Sequence, residues 1–360
     1  MISARIRELT EGIRPLFDDQ AAQLLAEFWA ALPKATGSLG RLEYAAKHVA
    51  LVRETMLPAA DRLGLYVFCG DHGICAEPVG AEGVEATRRD VLNFLRCDLP
   101  AAVLAREYSI DRIVVDCGLS GEPEQGTHVY RVCEGALDFT VTAALSEAQL
   151  NAAMEVGAAL AAEAARRHDF VAISQLGSGG SVSASAVLGA ITGRSTTDIT
   201  FVDDLGDAEL IAARRNTIQF ALARHQLDTV SPLSALRFLG GAELAAMTGF
   251  ILAAAWERLP VFADGFCTAV ATLIARSIAP DSVDVVLFPG CSTDAAWLTA
   301  LETLGVVPLL QMEATEGAGF HGVLAMHMVA GILKCGRVLT AGVVARRAAD
   351  EIAQPMQDLT

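Results

Sequence analysis

The feature that most constrains this chain is an alternation. Short apolar runs at 63–69, 112–117, 170–176, 260–263 and 283–288 are separated by longer stretches with helical periodicity, among them 147–167, 208–225, 242–258 and 268–277. A strand with one wet face alternates apolar and polar residues; these runs are continuously apolar, so both their faces must be covered. Parallel neighbours need a crossover of about a dozen residues or more, and the helical stretches supply it. The expected fold is therefore α/β: a doubly wound, mainly parallel sheet flanked by helices. Weaker strand signals lie at 200–202 and 307–310.

Two amphipathic patterns, about 18–32 and 40–56, precede the first strand, and the tail after about residue 336 lies outside the alternation. They are expected to form a small helical layer, 1–59 with 336–360, beside an α/β body at 60–335. Ala-rich helices with small-residue faces suit close packing against a second copy, so a homodimer is expected.

Composition narrows the function. With 52% hydrophobic and 19% charged residues, the chain has ample material for a core and is not a disordered chain. A net charge of −16 and only 6% aromatic residues argue against nucleic acid, which needs basic surface and stacking platforms. The longest suspicious apolar stretch, 244–256, falls short of the roughly 20 residues of a membrane span. The first seventeen residues carry charges throughout, and eight cysteines are scattered without a CxxC pair. Free thiols in a reducing, cytoplasmic setting are the expectation.

In open parallel sheets ligands bind beyond the carboxyl ends of the strands. Those ends offer Gly70-Asp71-His72-Gly73, Cys117-Gly118, Gly177-Ser178-Gly179-Gly180-Ser181, Asp264-Gly265, Pro289-Gly290-Cys291-Ser292-Thr293, and Glu316-Gly317-Ala318-Gly319. The loop 177–181 opens a helix, an arrangement that lets backbone N–H groups approach an anion; a plain structural turn is the competing reading. Glu316 is either a helix-start carboxylate favoured by the macrodipole or a general base at a cleft rim. The run from Cys69 to Cys75 holds thiols, an imidazole and a carboxylate, but no second cluster completes a four-ligand set, so no metal is expected. Asp203 and Asp204 read as a solvated loop, and His321 and His327 as core or surface histidines.

Several of these motifs together resemble the nicotinate-nucleotide–dimethylbenzimidazole phosphoribosyltransferases of cobalamin lower-ligand assembly, over about residues 30–335. Lys34-Ala35-Thr36-Gly37-Ser38-Leu39-Gly40, ending in Leu42-Glu43, is similar to the family's entry motif, with Ala35 in place of proline. Gly70-Asp71-His72-Gly73 with Asn93-Phe94, Gly240-Gly241 with Glu243 and Met247, and Pro260-Val261 with Asp264-Gly265-Phe266 resemble further family segments. Glu316-Gly317-Ala318-Gly319 matches the loop that carries the family's catalytic glutamate.

The resemblance implies a glycosyl transfer. An acceptor ring nitrogen attacks C1′ of nicotinate mononucleotide, nicotinate leaves, and an α-ribotide forms, with Glu316 taking the acceptor's proton. It also implies nucleotide binding by Gly177, Gly179, Gly180, Ser181, Asp264, Ser292, Gly317 and Gly319, and acceptor binding by Gly37, Ser38, Leu39, Gly80, Arg89 and Gln175. No cofactor is implied; the partners are a nicotinate mononucleotide-like donor and an aromatic base or phenol. The sequence departs from the pattern where Gln175 replaces a glutamate, Gly80 a serine and Arg89 a glutamine. Asp204-Leu205-Gly206 replaces a phosphate loop, Ser292-Thr293-Asp294 another segment, and Glu313 stands where an arginine is expected. These changes point to altered substrate choice. The alternative is a catalytically impaired or partner-dependent subunit of a heteromer with a related chain.

Overall fold

The computed structural model describes residues 2–16, 19–202, 207–225 and 231–357, with side chains described as far as residue 344. Asp203, Asp204, Leu205 and Gly206 lie outside the described residues. Six parallel strands form one sheet: β1 Leu63–Gly70, β2 Asp111–Gly118, β3 His128–Val129, β4 Phe170–Leu176, β5 Val261–Ala263 and β6 Val286–Leu287. Their order is β3-β2-β1-β4-β5-β6. The chain winds outward from β1 through β2 to β3, then returns to the other side of β1 for β4. The point where the order reverses lies between β1 and β4, where a doubly wound sheet opens a crevice at its carboxyl edge.

The continuous apolar runs are explained by two cores, one on each face. Along β1, Leu65, Val67 and Cys69 enter one core, and Tyr66 and Phe68 the other. β4 divides in the same way, with Phe170 and Ala172 on one side and Val171 and Ile173 on the other. Helices Glu147–Arg167 and Ala242–Trp256 cover the Tyr66 face and cross so closely that a Cβ on Gly157 would collide with the Ala246 carbonyl. The first starts at a capping box: Ser146 Oγ accepts the Gln149 N–H at 3.2 Å, and Gln149 Oε1 accepts the Ser146 N–H at 2.8 Å. The second is apolar all round and buried all round.

The other face carries helices Gly40–Val52, Val84–Arg96, Pro100–Glu107 and the start of the long Phe320–Gln357. The stretch Phe320–Val344 is long and apolar enough to cross a membrane by length and composition, with an 18-residue window of mean hydropathy 1.4 of which 44% is buried. It is longer than the stretch at 244–256 singled out from the sequence. His321, His327, Lys334 and Arg337 interrupt its run of letters and hide it. Val323, Met326, Val329 and Leu333 turn that apolar surface onto the sheet core.

Three sequence expectations change. Residues 200–202 and 307–310 are not strands; the second instead donates from Leu309 and Leu310 to the carbonyls of Phe288 and Pro289, extending beyond β6 without a ladder. A 3-10 turn, Pro280–Val285, takes the first half of the expected strand 283–288. The edge strand His128–Val129 was not expected, because two exposed residues carry no apolar run. Helices at Ala4–Glu11, Val84–Arg96 and Pro100–Glu107 complete the winding.

Candidate active site

A cavity of about 430 Å³ opens beyond β4 and β5. Ser174, Gln175 and Leu176 end β4 in its wall, Asp264 to Cys267 follow β5, and Thr315 to Ala318 close it. A second lobe of about 260 Å³, walled by Ser292 to Ala295, shares Phe201, Trp297 and Thr315 with the first. Phe201 and Phe266 lie face to face, with centroids 5.0 Å apart and planes 5° from parallel. They make an apolar wall suited to a planar ring.

Asp264 is buried in this wall at 2% exposure because its neighbours satisfy it. Its Oδ2 accepts the Gly322 N–H at 3.0 Å, and its Oδ1 lies 3.4 Å from His321 Nδ1. Both partners stand in the first turn of Phe320–Gln357, where unpaired amides and the helix dipole favour a carboxylate. Glu316, half-buried, precedes that helix, and the turn into it needs positive φ at Ala318 (54°) and Gly319 (96°). Gln175 turns its side chain back on its own loop, Nε2 donating to the Gly177 carbonyl at 3.1 Å.

The structure brings Glu316, Gly177, Ser181, Asp264, Gln175 and Gly317 together in the first lobe and puts Ser292 in the second. The remaining candidates lie elsewhere. Gly179 and Gly180 pack inward, where a Cβ would meet the Cys75 thiol and the Gln175 amide respectively, and Gly319 fits against Leu65. Gly80 takes φ 73° beside Leu210 and Arg214. Gly37 and Ser38 are exposed in the turn before Gly40–Val52, with Leu39 at its end. That turn is closed by Lys34, whose Nζ sits 2.8 Å from Glu43. Burial pushes the Glu43 carboxyl up, yet Lys34 and Lys47 more than offset it, and it falls below its ordinary value.

Arg89 points to solvent and pairs with Glu82 and Asp90; its neighbour Asp90 lines the cavity instead. The helix explains the difference. Thr87 Oγ1 accepts the Ser178 N–H at 2.9 Å, so the Thr87 side of Val84–Arg96 faces the glycine loop. Asp90, three residues on, shares that side, whereas Arg89 does not. Sequence reasoning also missed Phe201, Trp297 and Arg214. Arg214 is buried and donates to the Val79 and Phe201 carbonyls, both at 2.6 Å, fixing the backbone behind the cavity.

The charge is one-sided. Asp90, Asp264 and Glu316 line the first lobe and Asp294 the second, and no Lys or Arg lines either lobe among the described residues. Asp294 caps Ala295–Leu304: its Oδ1 accepts from the Ala296 and Trp297 amides and its Oδ2 from Val202. Those donors are already engaged within the protein. The first turn of Gly180–Thr192 remains the N-terminus nearest Gly177 and Ser181. No group of three or more His, Cys, Asp or Glu suited to a metal occurs among the described residues.

A second cluster sits under the ends of β1 and β2. His72 Nε2 lies 3.0 Å from Glu243 Oε1, both side chains at 2% exposure. Burial alone would push the His72 imidazole down, but the Glu243 carboxylate beside it raises it above its ordinary value. Gly70 and Gly241 have no room for a Cβ against the Glu243 side chain. Burial pushes the Cys69 and Cys117 thiols well up, which makes them inert.

A phosphoribosyltransferase family model matches residues 14–340. The nicotinate-nucleotide–dimethylbenzimidazole phosphoribosyltransferase of Chloroflexus aggregans is 35% identical over 323 residues, covering 88% of this chain and 90% of the relative. That of Bradyrhizobium diazoefficiens is 35% identical over 302 residues, covering 83% and 86%. The crystal structure of the Thermus thermophilus enzyme of that name superposes with a TM-score of 0.80 at 28% identity, over 90% of this chain and 96% of the other.

Proposed function

The chain belongs to this phosphoribosyltransferase family, and from that premise we propose that it transfers a phosphoribosyl group from nicotinate mononucleotide to an aromatic acceptor of the dimethylbenzimidazole class. The observation that carries the reading is the shared cavity: Glu316, Asp264, Gln175 and Ser181 meet around one space walled by stacked phenylalanines. The reaction is a displacement at C1′. The acceptor's ring nitrogen attacks, the C1′–N bond to the pyridinium breaks, and its electron pair goes to the departing ring nitrogen as neutral pyridine. Glu316 takes the acceptor's N–H proton, and the configuration inverts to α.

The acidic lining supports this chemistry. A carboxylate-lined cavity favours a cationic pyridinium and the positive charge that develops on the ribose. Asp264 meets the ribose hydroxyls. The phosphate takes the amides at the start of Gly180–Thr192, beside Gly177 and Ser181, rather than those of Ala295–Leu304, which Asp294 occupies. The stacked Phe201 and Phe266 offer an apolar wall for an aromatic ring to pack against. Neutral acceptors with an N–H suit this lining better than phenolates, since Arg89 points away and Asp90 takes its place.

A cytoplasmic homodimer, with a helical layer of 1–59 and 336–360 beside the 60–335 body, goes with the same reading. Nothing in the fold or the relatives favours a partner-dependent subunit. The test is nicotinate release from nicotinate mononucleotide by the purified chain, with dimethylbenzimidazole, adenine and p-cresol as separate acceptors. Acceptor-dependent release is expected with the two N–H heterocycles; no release with any acceptor would sink the proposal.

A further inference from the structure

His321 has no part in the displacement above, yet it stands directly behind it. It is fully buried, and its ring meets Trp297 edge-on, with centroids 5.9 Å apart and planes at 86°. Its Nδ1 lies 3.4 Å from Asp264 Oδ1, while the N–H of the next residue, Gly322, donates to Asp264 Oδ2. Asp264 and Trp297 line the cavity; His321 does not. Neither ring nitrogen has a hydrogen-bond partner among the described residues. An apolar side chain of similar size would fill the space without burying two such atoms, so packing does not account for an imidazole here. Nor can the ring swing away towards Gly290, whose lack of a Cβ makes the space it occupies.

We propose that His321 is a positioning residue for the ribosyl donor. Together with the Gly322 amide it grips both oxygens of Asp264, so that the carboxylate presents one orientation to the ribose hydroxyls. A neutral imidazole with its proton on Nδ1 suffices. The 3.4 Å separation exceeds that of a formed N–H···O bond, and the contact tightens when the donor engages Asp264. The inference rests on the donor role given to Asp264 in the proposed function.

The experiment uses the full chain as wild type, His321→Phe, His321→Asn, Asp264→Asn and the double variant His321→Phe/Asp264→Asn. Nicotinate mononucleotide binding is measured by calorimetry, and nicotinate release by steady-state kinetics. His321→Phe is expected to raise donor Kd and KM about tenfold, with the acceptor KM unchanged and kcat within about threefold. His321→Asn keeps a donor where Nδ1 lies and should recover most of the loss. In the Asp264→Asn background, His321→Phe should add almost nothing. Should the Phe variant fail to fold, His321→Gln serves as the deleting variant, because its amide lies at the Nε2 position. Unchanged donor affinity in a folded deleting variant would overturn the inference, as would full additivity with Asp264→Asn. A wild type that neither binds nor cleaves nicotinate mononucleotide overturns the proposed function itself, and this inference with it.

Discussion

The ends of β1 and β2 and the ends of β4 and β5 belong to one edge of one sheet, yet they are built in opposite ways. Under β1 and β2, His72 and Glu243 are nearly sealed from solvent and answer each other at 3.0 Å. Beyond β4 and β5, Glu316 is half-buried and Asp264, though buried, opens on a cavity of about 430 Å³. Both regions carry motifs of similar strength in the sequence. One turns its polar groups on each other inside the protein; the other leaves them facing space that a ligand can fill. A motif rich in Asp, His and Gly at a strand end therefore marks a demanding position, and burial decides what the demand is.

Mutation separates the two most sharply. Glu316→Ala should lower the rate of nicotinate release about 10²–10⁴-fold, as loss of a general base does, while the thermal midpoint stays put. A variant that keeps wild-type turnover would erase the distinction. Glu243→Ala should do the reverse. It strands a buried imidazole and is expected to cost about 3–5 kcal/mol in urea unfolding, with turnover per folded molecule close to wild type. Equal stability in the two proteins would show that the β1–β2 cluster does not hold the fold.

Acidity gives a smaller contrast. The folded His72 pKa is raised above its ordinary 6.5, so the folded state binds the proton more tightly than the unfolded chain. Its stabilisation is fully present below about 6.5 and is lost as pH rises through the raised folded value. Relative to His72→Gln, the wild-type urea midpoint should therefore decline with rising pH across that window; a flat difference would argue against the His72–Glu243 pairing. The smallest effects concern the cavity rim. Arg89→Ala should leave acceptor KM within about twofold and the thermal midpoint unchanged, as exposed ion pairs usually do. Asp90→Ala should shift acceptor KM more than that, and the opposite ranking would return Arg89 to the site.

Much of the architecture was legible because burial on both faces leaves a direct trace in composition. The strand 170–176 is found with the bounds expected, and helix Glu147–Arg167 likewise, since its serine cap and periodicity are local. Strand 283–288 shrank to two residues because Pro280 supports a turn that apolar letters do not reveal. Of the candidate residues, Glu316, Asp264, Gln175, Gly177 and Ser181 line one cavity because the segments after β4 and β5 and the entry to the long helix converge there. Gly179 and Gly180 do not line the cavity with a side-chain position: where a Cβ would stand, the Cys75 thiol and the Gln175 amide occupy the room, which leaves only their backbone to meet a ligand. Arg89 turns away from the cavity because resemblance assigns a position in the chain, whereas the face of a helix is set by the angle between residues.

By itself the sequence determined the α/β class, the ends of β1, β2, β4 and β5, and the family, since each is written in local pattern or in motif order. The strand order, the closure of His72 onto Glu243 across 171 residues, the choice of Asp90 over its neighbour and the placing of His321 behind Asp264 were decided only by the tertiary structure. The physical reason is common to all four. Each depends on which distant surfaces meet once the sheet is covered on both faces, and no local periodicity encodes that meeting.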